Sequence, residues 1–179
     1  MNKLKQQIRT AFASVEYPGD TNLRNSNEGD EPFLLEAEFK GKDDWKTLTA
    51  EFIDLAPDGF ASALSFFSAD AFRFYLPAYL IADVDGKQQH ADLSFHLTHG
   101  LTNASKDVCV NPKRYGELTW FDYVSERFAG FTMLEAKVIV TYLEFKLEAA
   151  LTELEREPIN QALKNYWEVR AHPSPTSRP

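Results

Sequence analysis

Apolar residues return at helical spacing along most of this chain. Leu4, Ile8, Ala11, Phe12 and Val15 predict an amphipathic helix over residues 3–16, which Pro18-Gly19-Asp20 stops before a polar loop. Asp30-Glu31-Pro32 has the form of a helix start, with Phe33, Leu34, Ala37 and Phe39 turned inward until Gly41. Asp43 and Asp44 can cap a third helix from Trp45 to about Leu55. The apolar stretch from Ala61 to Phe67 fits either a helical turn or a short buried segment. Ser68, with Asp70 in the first turn, then opens a helix carrying Phe72-Arg73-Phe74-Tyr75-Leu76-Pro77-Ala78-Tyr79-Leu80. Pro77 inside that helix predicts a kink.

The pattern breaks down from Gly86 to Glu117, where Gly86, Gly100, Asn103, Asn111-Pro112 and Gly116 punctuate the chain and only Leu93 to Leu97 alternates like a strand. Helical order resumes with Trp120, Phe121, Val124 and Phe128. Thr132 and Glu135 form a capping-box pattern ahead of a helix running to about Glu155, with two adjoining apolar stripes and hence a broad buried face. Glu157-Pro158 reads as the start of a last helix, and the tail 172–179 as disordered. The expected fold is therefore mainly α. It is a single compact multi-helix domain of about seven helices over residues 1–171, with a loop-rich insert and minor short strands between 90 and 110.

Composition changes this picture little and partners more. The chain has 179 residues, 44% of them hydrophobic, and a net charge of −8. An acidic surface repels phosphate backbones, and the densest basic stretch, Lys106 to Arg114, is too sparse to offset it, so no nucleic-acid partner is expected. Cys109 is the only cysteine, which excludes an internal disulfide and suits a reducing cytoplasm. The first residues lack the apolar core of a signal peptide, and the longest apolar run is far shorter than a membrane span.

Candidate chemistry is thin. His96-Leu97-Thr98-His99, with His90 and Asp92 nearby, is the nearest approach to a metal pattern, but further convergent ligands are missing and no metal or cofactor is expected. Cys109 with His96 or His99 as base is conceivable, yet its Val-Cys-Val setting suits a small packed residue. Asp83-x-Asp85-Gly86 lacks the remaining oxygens of a calcium loop and is better read as a turn with Gly86 at positive φ. Arg73 stands apart, a cation among aromatics. It either pairs with a carboxylate of its own chain (Asp54, Asp58, Asp83 or Asp122) or anchors an anion in a pocket walled by Tyr75 and Tyr79.

The Pro18-Gly19-Asp20 and Gly29-Asp30-Glu31-Pro32 segments, Trp45, the Phe72–Leu80 run and Phe131-Thr132-Met133-Leu134-Glu135 together resemble an uncharacterised bacterial family defined as a domain of unknown function. That resemblance covers most of residues 12–147. It implies a small cytoplasmic single-domain protein, with no catalytic residues, cofactor or substrate to carry over.

Two functional readings follow. The first is a non-enzymatic binding or regulatory module whose acidic surface meets another protein, such as a basic toxin for which this chain would be the immunity partner. The second is a small-molecule pocket or enzyme around Arg73, Tyr75 and Tyr79, with a polar cluster of His96, His99 and Asp92. Oligomeric state stays open, because the broad face of the 132–155 helix can be covered within the chain or by a second copy.

Overall fold

The computed structural model describes residues 2–57, 59 and 62–173, and among these the fold is mainly α, with no strand. The only β pairings there are two isolated bridges, Arg24 with Phe67 and Cys109 with Thr119. The helices are shorter and more numerous than the seven expected. Packing divides the chain into two compact units, one ending at His96 and one beginning at Leu97.

In the first unit, α1 spans Asn2–Ala11 and buries Leu4, Ile8 and Ala11, the early part of the expected stripe. α2 spans Glu31–Phe39, with Pro32 in its first turn as the sequence implies. It buries Pro32, Leu35 and Phe39 but leaves Phe33, Leu34 and Ala37, expected inside, exposed. The expected third helix is broken. A 3₁₀ turn at Trp45–Thr47 is capped by Asp44, and a separate helix, α3, spans Ala50–Leu55 under a Thr49 cap. Each cap satisfies its own set of free N–H groups, so two short elements replace one long one. α4 (Ala63–Phe66) makes the middle of the ambiguous stretch helical, between a turn at Ser62 and the bridge residue Phe67, while Ala61 lies outside the described residues.

Helix α5, Ala69–Val84, begins where Ser68 Oγ accepts the Ala71 N–H at 3.0 Å and runs through Pro77. It is apolar nearly all round because it is enclosed on most sides. Phe39, Phe67 and Tyr75 meet there with ring centroids 4.8–5.0 Å apart, a dense aromatic core of the kind that dominates buried apolar area. An ion pair between Lys5 and Asp85, at 2.6 Å, ties α1 to the end of α5, and Gly86 at φ +67° makes the turn that follows.

Helix α6 spans Leu93–Thr98 and corrects the strand expected at Leu93–Leu97. Asp92 Oδ1 accepts the Phe95 N–H at 2.9 Å, and the Asp92 carbonyl starts the helical ladder. A local cap outweighs an alternation only three apolar residues long. With it goes the expectation of minor strands between 90 and 110.

The second unit holds α7 (Pro112–Tyr115), α8 (Trp120–Arg127), α9 (Met133–Ala149), α10 (Glu153–Ala162), a π-helical turn at Leu163–Trp167 and α11 (Glu168–Ala171). Gly100 comes so near α8 that a Cβ there would lie 3.3 Å from the Trp120 carbonyl, and its φ is +83°. The expected Thr132–Glu135 capping box is present, with both reciprocal bonds. α9 ends at Ala149, earlier than expected, and its buried face is Ala136, Val138, Ile139, Tyr142 and Leu143. α10 starts at Glu153, so Pro158 sits inside the helix rather than at its start. The reason is a second capping box, Thr152 with Glu155, which opens the helix before the proline is reached. Trp167 closes this core. Its ring packs 5.0 Å from Phe128, and its Nε1–H donates to the Leu97 carbonyl at 2.8 Å. Residues 174–179 of the expected tail lie outside the described residues.

Candidate functional site

Arg73 is half-buried on α5, between the core residues Phe72 and Phe74. Of its candidate partners, Asp58 lies outside the described residues. Asp122 accepts the Thr119 hydroxyl at 2.6 Å, and Asp54 is engaged by the loop at 89–91. Tyr75 is fully enclosed, and its hydroxyl donates to the Lys42 carbonyl at 2.9 Å. Burial first, then the neighbouring Tyr17 phenol, pushes its acidity well away from the ordinary range, upward in pKa. Tyr79 is enclosed as well. Its hydroxyl has no hydrogen-bond partner among the described residues, and burial followed by the charge of Asp54 raises its pKa too.

Asp92, His96 and His99 of the expected polar cluster each have a contact of their own. Asp92 caps α6. His96 lies edge-on to Phe95 at 5.4 Å, whereas His99, just past α6, lies edge-on to Trp120 at 5.4 Å. Partial burial beside that indole lowers the His99 pKa. Among the described residues, no group of three or more His, Cys, Asp or Glu side chains could hold a metal ion.

A different histidine pairs with a buried carboxylate in the first unit. Asp54, 6% exposed on α3, takes His90 Nδ1 at 2.9 Å on one carboxylate oxygen. Its other oxygen accepts the backbone N–H groups of Gln89 at 2.8 Å and His90 at 3.0 Å. Burial alone would push this carboxyl up, but the bonds from His90 and Gln89 together outweigh it and hold the pKa below the usual carboxylate range. Asp54 thus clamps the loop after α5 and orients the His90 ring. The partners are 36 residues apart, and nothing local in the sequence marks them.

Among the described residues of the second unit, the most exposed large apolar residues lie at the corner between α9 and α10. Leu151 is 91% exposed and Leu154 is 85% exposed. The corner that presents them is well ordered by hydrogen bonds. Glu155 Oε2 accepts the N–H groups of Leu151 at 2.8 Å and Thr152 at 3.1 Å, and Arg156 donates to the Ala150 carbonyl at 2.8 Å. The bonds from Thr152 and Leu151 lower the pKa of Glu155. Along the two helices that meet at the corner, Glu144, Glu148, Glu153, Glu155 and Glu157 are exposed, and Lys146 and Arg156 are half-buried.

Along α10 and the π-helical turn runs a groove of about 560 Å³, lined by Glu153, Glu157 and Lys164 together with the amides of Asn103, Asn160, Gln161 and Asn165. Its amide edge is braced. The Asn103 N–H donates to Gln161 Oε1 at 2.8 Å, and Asn165 Nδ2–H donates to the Leu101 carbonyl at 3.0 Å. π-helical turns occur often at functional sites. The Thr152-x-x-Glu155 pattern was the available sequence signal for this corner, since it fixes where α10 begins and so leaves Leu151 and Leu154 outside the apolar stripe of α9.

No helix among the described residues is long and apolar enough to cross a membrane. No curated protein and no solved structure matches the chain. A family model does, over residues 1–171, and the chain belongs to that family of unknown function (DUF6714).

Proposed function

We propose that the protein is a non-enzymatic, cytoplasmic binding module that takes a basic protein partner on the corner between α9 and α10. The observation that carries this reading is the exposure of Leu151 and Leu154 at a corner whose two helices also expose Glu144, Glu148, Glu153, Glu155 and Glu157. A monomer gains nothing from two solvent-exposed leucines, whereas burial against a partner contributes roughly 1.5–3 kcal/mol for each, before the cost of association. The glutamates select a basic surface and exclude nucleic acid by like charge. The hydrogen-bonded corner supports the reading further, because a preordered anchor loses little entropy on binding. An immunity-type partnership with a basic toxin is one form of it.

A photocrosslinking residue at position 154 tests this in cells of the source organism. The expected result is one stoichiometric adduct with a basic protein, absent when Leu151→Asp is added. A crosslink only to a second copy of the chain, or no adduct above background in a folded variant, would overturn it.

A further inference from the structure

The first unit contains a second, chemically opposite feature. Beside α5 lies a cleft of about 220 Å³ whose floor is apolar, formed by Trp45, Ile53, Ala78 and Ala82, all of them buried. Its rim carries Arg9 from α1, Lys46 from the 3₁₀ turn and Lys87 from the loop after α5. Asp85 is the sole carboxylate among its lining residues, and Lys5 already neutralises it at 2.6 Å. Among the described residues, Arg9, Lys46 and Lys87 have no carboxylate partner. Lys46 Nζ lies 5.6 Å from the Trp45 ring centroid, at the edge of the floor.

Three cations without a carboxylate partner around one small cleft run against the balance of a chain with 19 basic and 27 acidic residues. A low-dielectric floor beneath them focuses a positive potential. The Asp54 clamp on the loop at 89–91 lies close in sequence to Lys87, and the Lys5–Asp85 pair lies one turn from Arg9, so both ends of the rim are anchored. We propose that this cleft binds a small organic anion, a carboxylate- or phosphate-bearing molecule with a compact apolar body. The guanidinium of Arg9 would hold the anionic group, with the two lysines as point charges, while the body rests on Trp45. A cleft of about 220 Å³ has room for a small metabolite. The cleft belongs to the same helix as Arg73, Tyr75 and Tyr79 but is formed by other residues. It is independent of the protein-binding corner, which lies in the other unit.

The test is a titration of 3-phenylpropionate, phenyl phosphate, inorganic phosphate and neutral benzyl alcohol, read from the indole signal of Trp45 by NMR. At least one of the two aryl anions is expected to saturate with a Kd of about 1 mM or tighter. Arg9→Gln with Lys87→Gln, both exposed positions, should weaken that binding at least about tenfold while the melting temperature holds. Which aryl anion wins separates a carboxylate from a phosphate ligand. The proposal is overturned if neither aryl anion saturates, if benzyl alcohol or inorganic phosphate binds as well, or if the folded double variant binds unchanged.

Discussion

His90 Nδ1 lies 2.9 Å from Oδ2 of Asp54, and the other oxygen of that carboxylate holds the backbone of Gln89 and His90. The two residues are not equal partners, because the Asp54 side chain is 8% exposed and the His90 side chain 49%. Removing the carboxylate strands the part-buried N–H groups of Gln89 and His90, and removing the imidazole does not. Asp54→Ala should therefore cost about 3 kcal/mol in urea denaturation, and His90→Ala less than about 1 kcal/mol. Equal losses would mean that the imidazole bond, rather than the backbone clamp, does the holding.

The same carboxylate sets an acid limit. Burial raises its pKa, but the bonds donated by His90 and Gln89 bring the folded value below the usual one. A group depressed in the folded state contributes stability above its unfolded pKa, near 3.9, and loses it as pH falls through the lower folded value. The gap in stability between the native chain and Asp54→Asn should shrink as pH drops from about 5 to about 2. A gap that stays constant across that range would remove the ionised carboxylate from the explanation.

Tyr75 and Tyr79 offer a paired comparison one helical turn apart. Tyr75 donates to the Lys42 carbonyl at 2.9 Å, and Tyr79 has no hydrogen-bond partner among the described residues. Tyr75→Phe should cost about 1 kcal/mol, whereas Tyr79→Phe should be neutral or stabilising, because it deletes a buried hydroxyl that gains nothing. Thermal melts of the two variants decide this, and a large loss in Tyr79→Phe would require a role for its hydroxyl.

Glu155 fixes the corner that presents the leucines, through the N–H groups of Leu151 and Thr152. Glu155→Ala should therefore speed hydrogen exchange at those two amides and leave the α9 core, around Ile139 and Leu143, protected. Because those bonds hold its pKa below the ordinary glutamate value, the protection should persist under mild acid and fail only once the carboxylate protonates. Unchanged exchange in Glu155→Ala would show that the corner is held by something else.

What the sequence reveals depends on how far apart the interacting groups are. Ser68 and Thr132 announce their helices because each cap and its N–H partner are three residues apart. The same rule would have located Thr152, but Pro158 offered a competing start signal that the helix does not use. Leu93, Phe95 and Leu97 alternate like a strand, yet one Asp92 cap makes them helical. Tertiary relationships have no such local signature. Asp54 and His90 meet across 36 residues, and Arg9, Lys46 and Lys87 converge from three separate segments. The aromatic run at 72–80 was legible as a core helix, while its role beyond packing depends on neighbours that periodicity does not identify.

The most direct test of the binding reading is the Kd of the protein crosslinked at position 154, measured against the purified chain at low and high salt. A basic partner buried on Leu151 and Leu154 should bind at micromolar Kd or tighter, weaken as salt screens the glutamates, and lose at least about a hundredfold in Leu151→Asp/Leu154→Asp. Affinity unchanged in that double variant, with its helical content intact, would contradict it.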